Sequence, residues 1–137
     1  MIVVAILATL AAIAVPKFTL MVEKSREGAT KGDMGAIKSA ATLYYGNSQG
    51  LWPTTLSINP SFSFSNYLEV MPGVKVTAAF INGAPSPAGS TVTYTTFNNV
   101  PTGSNSGWLY DSTGGVLYVN STVQDSQAIA FSFYGFQ

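Results

Sequence analysis

Residues 1 to 15 carry no charge and a single polar side chain, Thr9. A run of this kind cannot face water unaided. As a helix rising about 1.5 Å per residue it spans roughly 22 Å, short of the ~30 Å hydrocarbon core that takes about 20 residues to cross. Three readings of the run compete: the apolar part of a signal peptide, a buried core helix, or a membrane anchor. A signal peptide calls for basic residues before the run and a small-x-small site after it, whereas Pro16, Lys17 and Phe18 follow.

Downstream the pattern changes to helical alternation. Phe18, Met21 and Val22 share one apolar stripe and Met34, Ile37, Ala41 and Tyr44 continue one, while Glu23, Lys24, Arg26, Glu27, Lys31, Asp33 and Lys38 carry the charge. The spacing predicts a single helix over residues 1–45, apolar and then amphipathic, stopped by Gly46 and Asn47. Pro16 lacks an amide hydrogen and crowds the preceding turn, so it is expected to kink or locally open this helix. Gly28, Gly32 and Gly35 weaken the helix further along. The Gly28/Gly32 pair also has the spacing of close helix packing, though in a polar stretch lost propensity is the simpler reading.

From residue 46 to 137 the texture becomes Ser, Thr, Asn, Gly and Pro between short aromatic or apolar alternations, which predicts a β-rich head. Trp52, Pro53, Phe62 and Phe64 lie in a connecting loop that pins aromatics onto that head. Candidate strands are Tyr67 to Met71, Val74 to Ile81, Thr91 to Phe97, Gly107 to Asp111, Val116 to Asn120 and Ala128 to Phe133. The clearest unit sets Trp108, Leu109 and Tyr110 against Val116 to Val119 across a Ser/Thr/Gly turn, as an antiparallel hairpin requires. Residues 130 to 136 are expected to tie the C-terminus down by aromatic packing. The fold class that follows is α+β, a long N-terminal helix packed on a small antiparallel sheet.

Composition narrows the function. With 137 residues the chain fits one domain, and 9% charged residues, six basic and six acidic, leave no basic footprint for nucleic acid. The absence of cysteine and histidine removes disulfides, thiolate nucleophiles, Cys/His zinc sites and imidazole catalysis. Glu23, Glu27, Asp33 and Glu69 form no pairing with a nucleophile, and no phosphate loop or metalloprotease motif occurs, so no enzyme activity and no cofactor are expected. The seven Tyr, eight Phe and two Trp read as core filling for a small head, ahead of a path for electrons or stacking on single-stranded DNA.

Two minor sites remain. Asp111 and Asp125, with Asn120 and Ser121, are a weak candidate for Ca²⁺, against the plainer reading as solvated turn residues. Asn120-Ser121-Thr122 fits a glycosylation acceptor, and the Ser/Thr-rich stretch from Ala88 to Thr96 equally suits O-linked sugars.

The segment Met1 to Phe18 resembles the N-terminal helix of type IV pilins and type II secretion pseudopilins without its first few residues. The likeness is carried by Val3, Val4, Ala5 and Ile6 and by Leu10, Ala11, Ala12, Ile13 and Ala14 before Pro16, and beyond Phe18 it is architectural only. Aligned on Pro16, it places the family's methylated phenylalanine and assembly glutamate upstream of Met1. Met1 is then expected to be an internal residue, about six more bringing the apolar segment to a spanning length. Two departures stand out: Ala8 occupies a position where the family usually has glycine, and Thr9 one that is often apolar and β-branched. In related filaments the segment before this proline is often extended, so the resemblance implies an interruption between Ala8 and Pro16.

The resemblance implies a structural subunit that polymerises into an extracellular pilus. The assembly residues would be Met1, Ile2, Val3, Val4, Ile6, Leu7, Leu10, Ile13, Val15, Pro16 and Phe18. It also implies inner-membrane anchoring before assembly, with a prepilin peptidase, N-methylation, a platform protein and an assembly ATPase as partners. The filament would serve motility, adhesion, DNA uptake or conduction, DNA binding being least suited to the neutral charge. The rivals are a periplasmic pseudopilus subunit, against which the lack of a multi-carboxylate calcium loop speaks mildly, and a monomeric membrane-anchored binding module.

Overall fold

The computed structural model describes residues 1–77, 86–96 and 101–134. Helix α1 spans Ile2–Asn47, 46 residues, about 70 Å at the usual rise. It runs two residues past the expected end at residue 45, taking in Gly46 and Asn47. There the Ser48 amide donates to Tyr44 O (2.8 Å), and the chain turns through Gln49 and Gly50, both with positive φ.

The interruption expected between Ala8 and Pro16 is absent from the single chain, since Pro16 lies inside α1. The ring removes one donor, that to the Ala12 carbonyl, and its fixed φ already suits a helix. More than ten residues of Ala, Leu, Ile and Val on one side and an amphipathic stretch on the other carry the helix across the gap. Thr9 and Thr19 hydroxyls donate back to Ile6 O (2.8 Å) and Pro16 O (2.9 Å), so neither leaves an unpaired polar group in the apolar half.

The head holds a three-stranded sheet: β1 (Val92–Thr95), β2 (Ser104–Asp111) and β3 (Val116–Ser121), in the order β1-β2-β3. The β2–β3 hairpin is antiparallel, with Trp108 opposite Val119 and Asp111 opposite Val116. The wholly antiparallel sheet expected from sequence is corrected to a mixed one, because β1 runs parallel to β2 with Val92 opposite Trp108. Alternation within a strand says which face is buried, not which way a neighbour runs.

Other expected strands are shorter or irregular. Tyr67 to Met71 follow a 3-10 turn at Ser63–Asn66 and form no ladder. Val74 makes only an isolated bridge to Gly89, residues 78–81 and Phe97 lying outside the described residues. Ala130 bridges Gln124, and Phe131–Phe133 form a 3-10 turn where a strand was expected.

The core lies where α1 meets the sheet. Met34, Ile37, Ala40 and Ala41 pack with Trp108 and Tyr110 of β2 and Leu117 and Val119 of β3, and Leu56, Phe64, Val74, Val76, Phe131 and Tyr134 close the rim. Trp108 Nε1 donates to Pro72 O (2.7 Å) and the Tyr110 hydroxyl to Pro53 O (2.9 Å), so the large aromatics are also hydrogen-bonded to loops. Phe131 and Tyr134 deliver the aromatic tie expected of the C-terminal segment, while Phe133 is exposed and residues 135–137 lie outside the described residues.

Candidate functional site

The dominant surface feature is the first half of α1. Every residue from Met1 to Met21 is exposed. Each of the assembly residues expected from sequence is therefore accessible, and Leu20 and Met21 extend the apolar surface beyond them. Phe18 and Met21, which share one helical stripe with Val22, belong to this exposed group. Among the described residues the head reaches down as far as Val22 and Glu23. By length and composition α1 can cross or anchor in a membrane, and none of its apolar stretch is buried within the molecule.

What holds the helix to the head is partly polar. Glu23 and Glu27, two of the residues that carry the charge of the helix, are only 8% and 7% exposed. The Thr77 hydroxyl donates to Glu23 Oε2 (2.9 Å) and Arg26 Nη1 pairs with Glu23 Oε1 (2.6 Å). The Ser126 amide and hydroxyl donate to Glu27 Oε1 and Oε2 (2.8 and 2.9 Å). The Lys75 amide donates to Thr30 Oγ1 (3.0 Å), and its ammonium pairs with Asp33 (2.8 Å). A signal for this clasp was present: Glu23, Glu27, Thr30, Met34, Ile37, Ala41 and Tyr44 step by four and three residues, so the glutamates continue the apolar stripe. Glutamate's charge outweighed its register.

Asp125 anchors the C-terminal segment to the same clasp. Its Oδ1 accepts from the Gln127 and Ile129 amides (2.8 and 2.9 Å) and its Oδ2 from the Tyr134 hydroxyl (2.6 Å). Burial alone would raise its pKa. The Tyr134 hydrogen bond, those from the backbone, and the nearby Lys31 charge outweigh burial and hold it below the ordinary carboxylate value. Burial first, then the Asp125 contact, push the Tyr134 phenol up, and Lys31 Nζ lies 4.3 Å over the same ring.

The weak Ca²⁺ reading gains no second feature. Asp111 sits at the hairpin turn, where its Oδ1 accepts from the Thr113 amide (2.8 Å), and the Asp125 oxygens already receive three hydrogen bonds. Among the described residues no group of three or more acidic, His or Cys side chains gathers as a metal site. Asn120, the acceptor candidate, is 4% exposed and its side-chain amide donates to Thr93 Oγ1 (3.2 Å).

No family model, curated protein or solved structure matches the chain.

Proposed function

We propose that this chain is a structural subunit that polymerises through its apolar N-terminal helix into an extracellular filament of the type IV pilin kind, held in the inner membrane before assembly. The observation that carries the reading is the exposed apolar surface from Ile2 to Met21. Such a surface demands lipid or protein around it, each fully buried Leu, Ile or Val being worth about 1.5–3 kcal/mol. Leaving the membrane requires equivalent cover, and the same helix of neighbouring copies provides it. A contact between unlike faces of identical copies that does not close into a ring generates a fibre.

The resemblance of Met1 to Phe18 to the pilin helix supports the same reading, as does a head tied to the second half of the helix by both apolar and polar contacts. Under this reading the prepilin peptidase, platform protein and assembly ATPase remain the expected partners.

Electron microscopy of material sheared from cells expressing the protein tests the proposal. Long surface fibres that label with antibody to the head are the expected result. Short fibres confined to the periplasm would favour a pseudopilus, and protein found only as membrane-bound monomer would favour an anchored binding module.

A further inference from the structure

The distribution of charge points to a specific contact between copies. Of six basic and six acidic side chains, most are engaged within the chain. Glu23 pairs with Arg26 and Asp33 with Lys75; Glu27 holds Ser126, Asp125 holds Tyr134, and Lys31 covers the Tyr134 ring. Lys38 and Asp111 also interact within the chain. Lys17, Lys24 and Glu69 are exposed and have no partner among the described residues.

The two lysines lie far from Glu69 along the helix axis. Lys17, Met21 and Lys24 are spaced four and three residues apart and so form one stripe on α1. Glu69 belongs to the head near the far end of the helix. Two residues before it, the Tyr67 ring lies 5.7 Å from that of Tyr44, and its hydroxyl accepts from Asn47 Nδ2 (3.0 Å). Lys17 and Lys24 precede Tyr44 by some 20 to 27 residues, about 30–40 Å of helix, so they cannot meet Glu69 of their own chain. The apolar neighbours match as well, since Met21 between the lysines is 69% exposed and Val70 beside Glu69 is 68% exposed.

We infer that Glu69 and Val70 of one copy dock on the Lys17–Met21–Lys24 stripe of a second copy displaced along the helix axis by about 30–40 Å. Glu69 sits between the two lysines and Val70 against Met21. The occupant is a second copy because the unmatched charges complement each other in sign, and because the contact joins unlike ends and so propagates. An anionic lipid surface would engage the lysines alone and leave Glu69 unmatched. The inference rests on the assembly reading above and gives it a register.

The chain has no cysteine, which makes cross-linking clean. Oxidised fibres of the Met21→Cys/Val70→Cys double variant should yield a ladder of disulfide-linked multimers, and neither single variant should. Changing Lys17 and Lys24 to Glu, or Glu69 to Lys, should lower fibre yield roughly tenfold through like-charge opposition, and combining the three changes should restore it. Fibres without a ladder, and undiminished in both charge-reversed variants, overturn this contact while leaving the assembly reading in place. An unmodified chain that forms no fibres overturns both.

Discussion

The carboxylate of Glu27 accepts hydrogen bonds from both the backbone amide and the hydroxyl of Ser126, at 2.8 and 2.9 Å, and so joins the helix to a residue 99 positions later in the chain. A buried glutamate in this position fixes the rotation of the helix against the head, since turning it by one residue would strip both donors of their acceptor.

Replacing Glu27 by Ala should therefore destabilise the head by about 1–3 kcal/mol, the cost of leaving the Ser126 amide unsatisfied. Ser126→Ala, which removes only the hydroxyl, should cost about 0.5–1.5 kcal/mol. Denaturant unfolding of the detergent-solubilised chain, followed by tryptophan fluorescence, checks the order of the two.

The hairpin turn offers a second test. Gly115 has a φ of +68° and a Cβ there would strike the Trp52 indole, which itself lies 4.4 Å from the Tyr45 ring. Gly115→Ala should destabilise by about 1–3 kcal/mol through backbone strain and overpacking. Adding Trp52→Ala should relieve the clash but not the strain, leaving a coupling between the two sites in a double-mutant cycle.

The Asp125–Tyr134 contact predicts loss of stability at both extremes of pH. Asp125 has a folded pKa below its ordinary 3.8, so its contribution is present above that value and is lost as acid protonates the folded carboxylate. Tyr134 has a folded pKa above its ordinary 10.0, so its contribution is full below pH 10 and is lost as the pH rises from there. Melting temperatures measured from pH 2 to 11 should fall at both ends for the native chain. Asp125→Asn should flatten the acid limb and Tyr134→Phe the alkaline one.

Peptide mapping of protein recovered from the cell surface should find Asn120 unmodified. Its amide is spent on Thr93, and Asn120→Ala should cost about 1 kcal/mol while leaving the intact mass otherwise unchanged.

The long helix, the α+β class and the β2–β3 hairpin were legible in the sequence because each rests on a local period: apolar run, three-four alternation, two-residue alternation. The parallel placement of β1 was not, since the alternation within Val92–Thr95 does not say which way the neighbouring strand runs. The clasp was hidden for a different reason. Glu23 and Glu27 are charged, and only partners far away in sequence, Thr77 and Ser126, make their burial tolerable. Pro16 misled in the opposite direction, because one missing hydrogen bond is a small loss inside a helix supported on both sides. The uncharged run makes the exposed apolar surface legible as far as Phe18, and Leu20 and Met21 extend it.

The claim that the exposed apolar helix is an assembly surface is tested most directly by comparing fibres from cells expressing the native chain with fibres from an Ile6→Asp variant, counted in electron micrographs. A buried charge without a partner in the filament core is strongly unfavourable, so the native chain should form long fibres and the variant none, with its head still folded in the membrane fraction. Fibres of equal number from both, or none from the native chain, would contradict it.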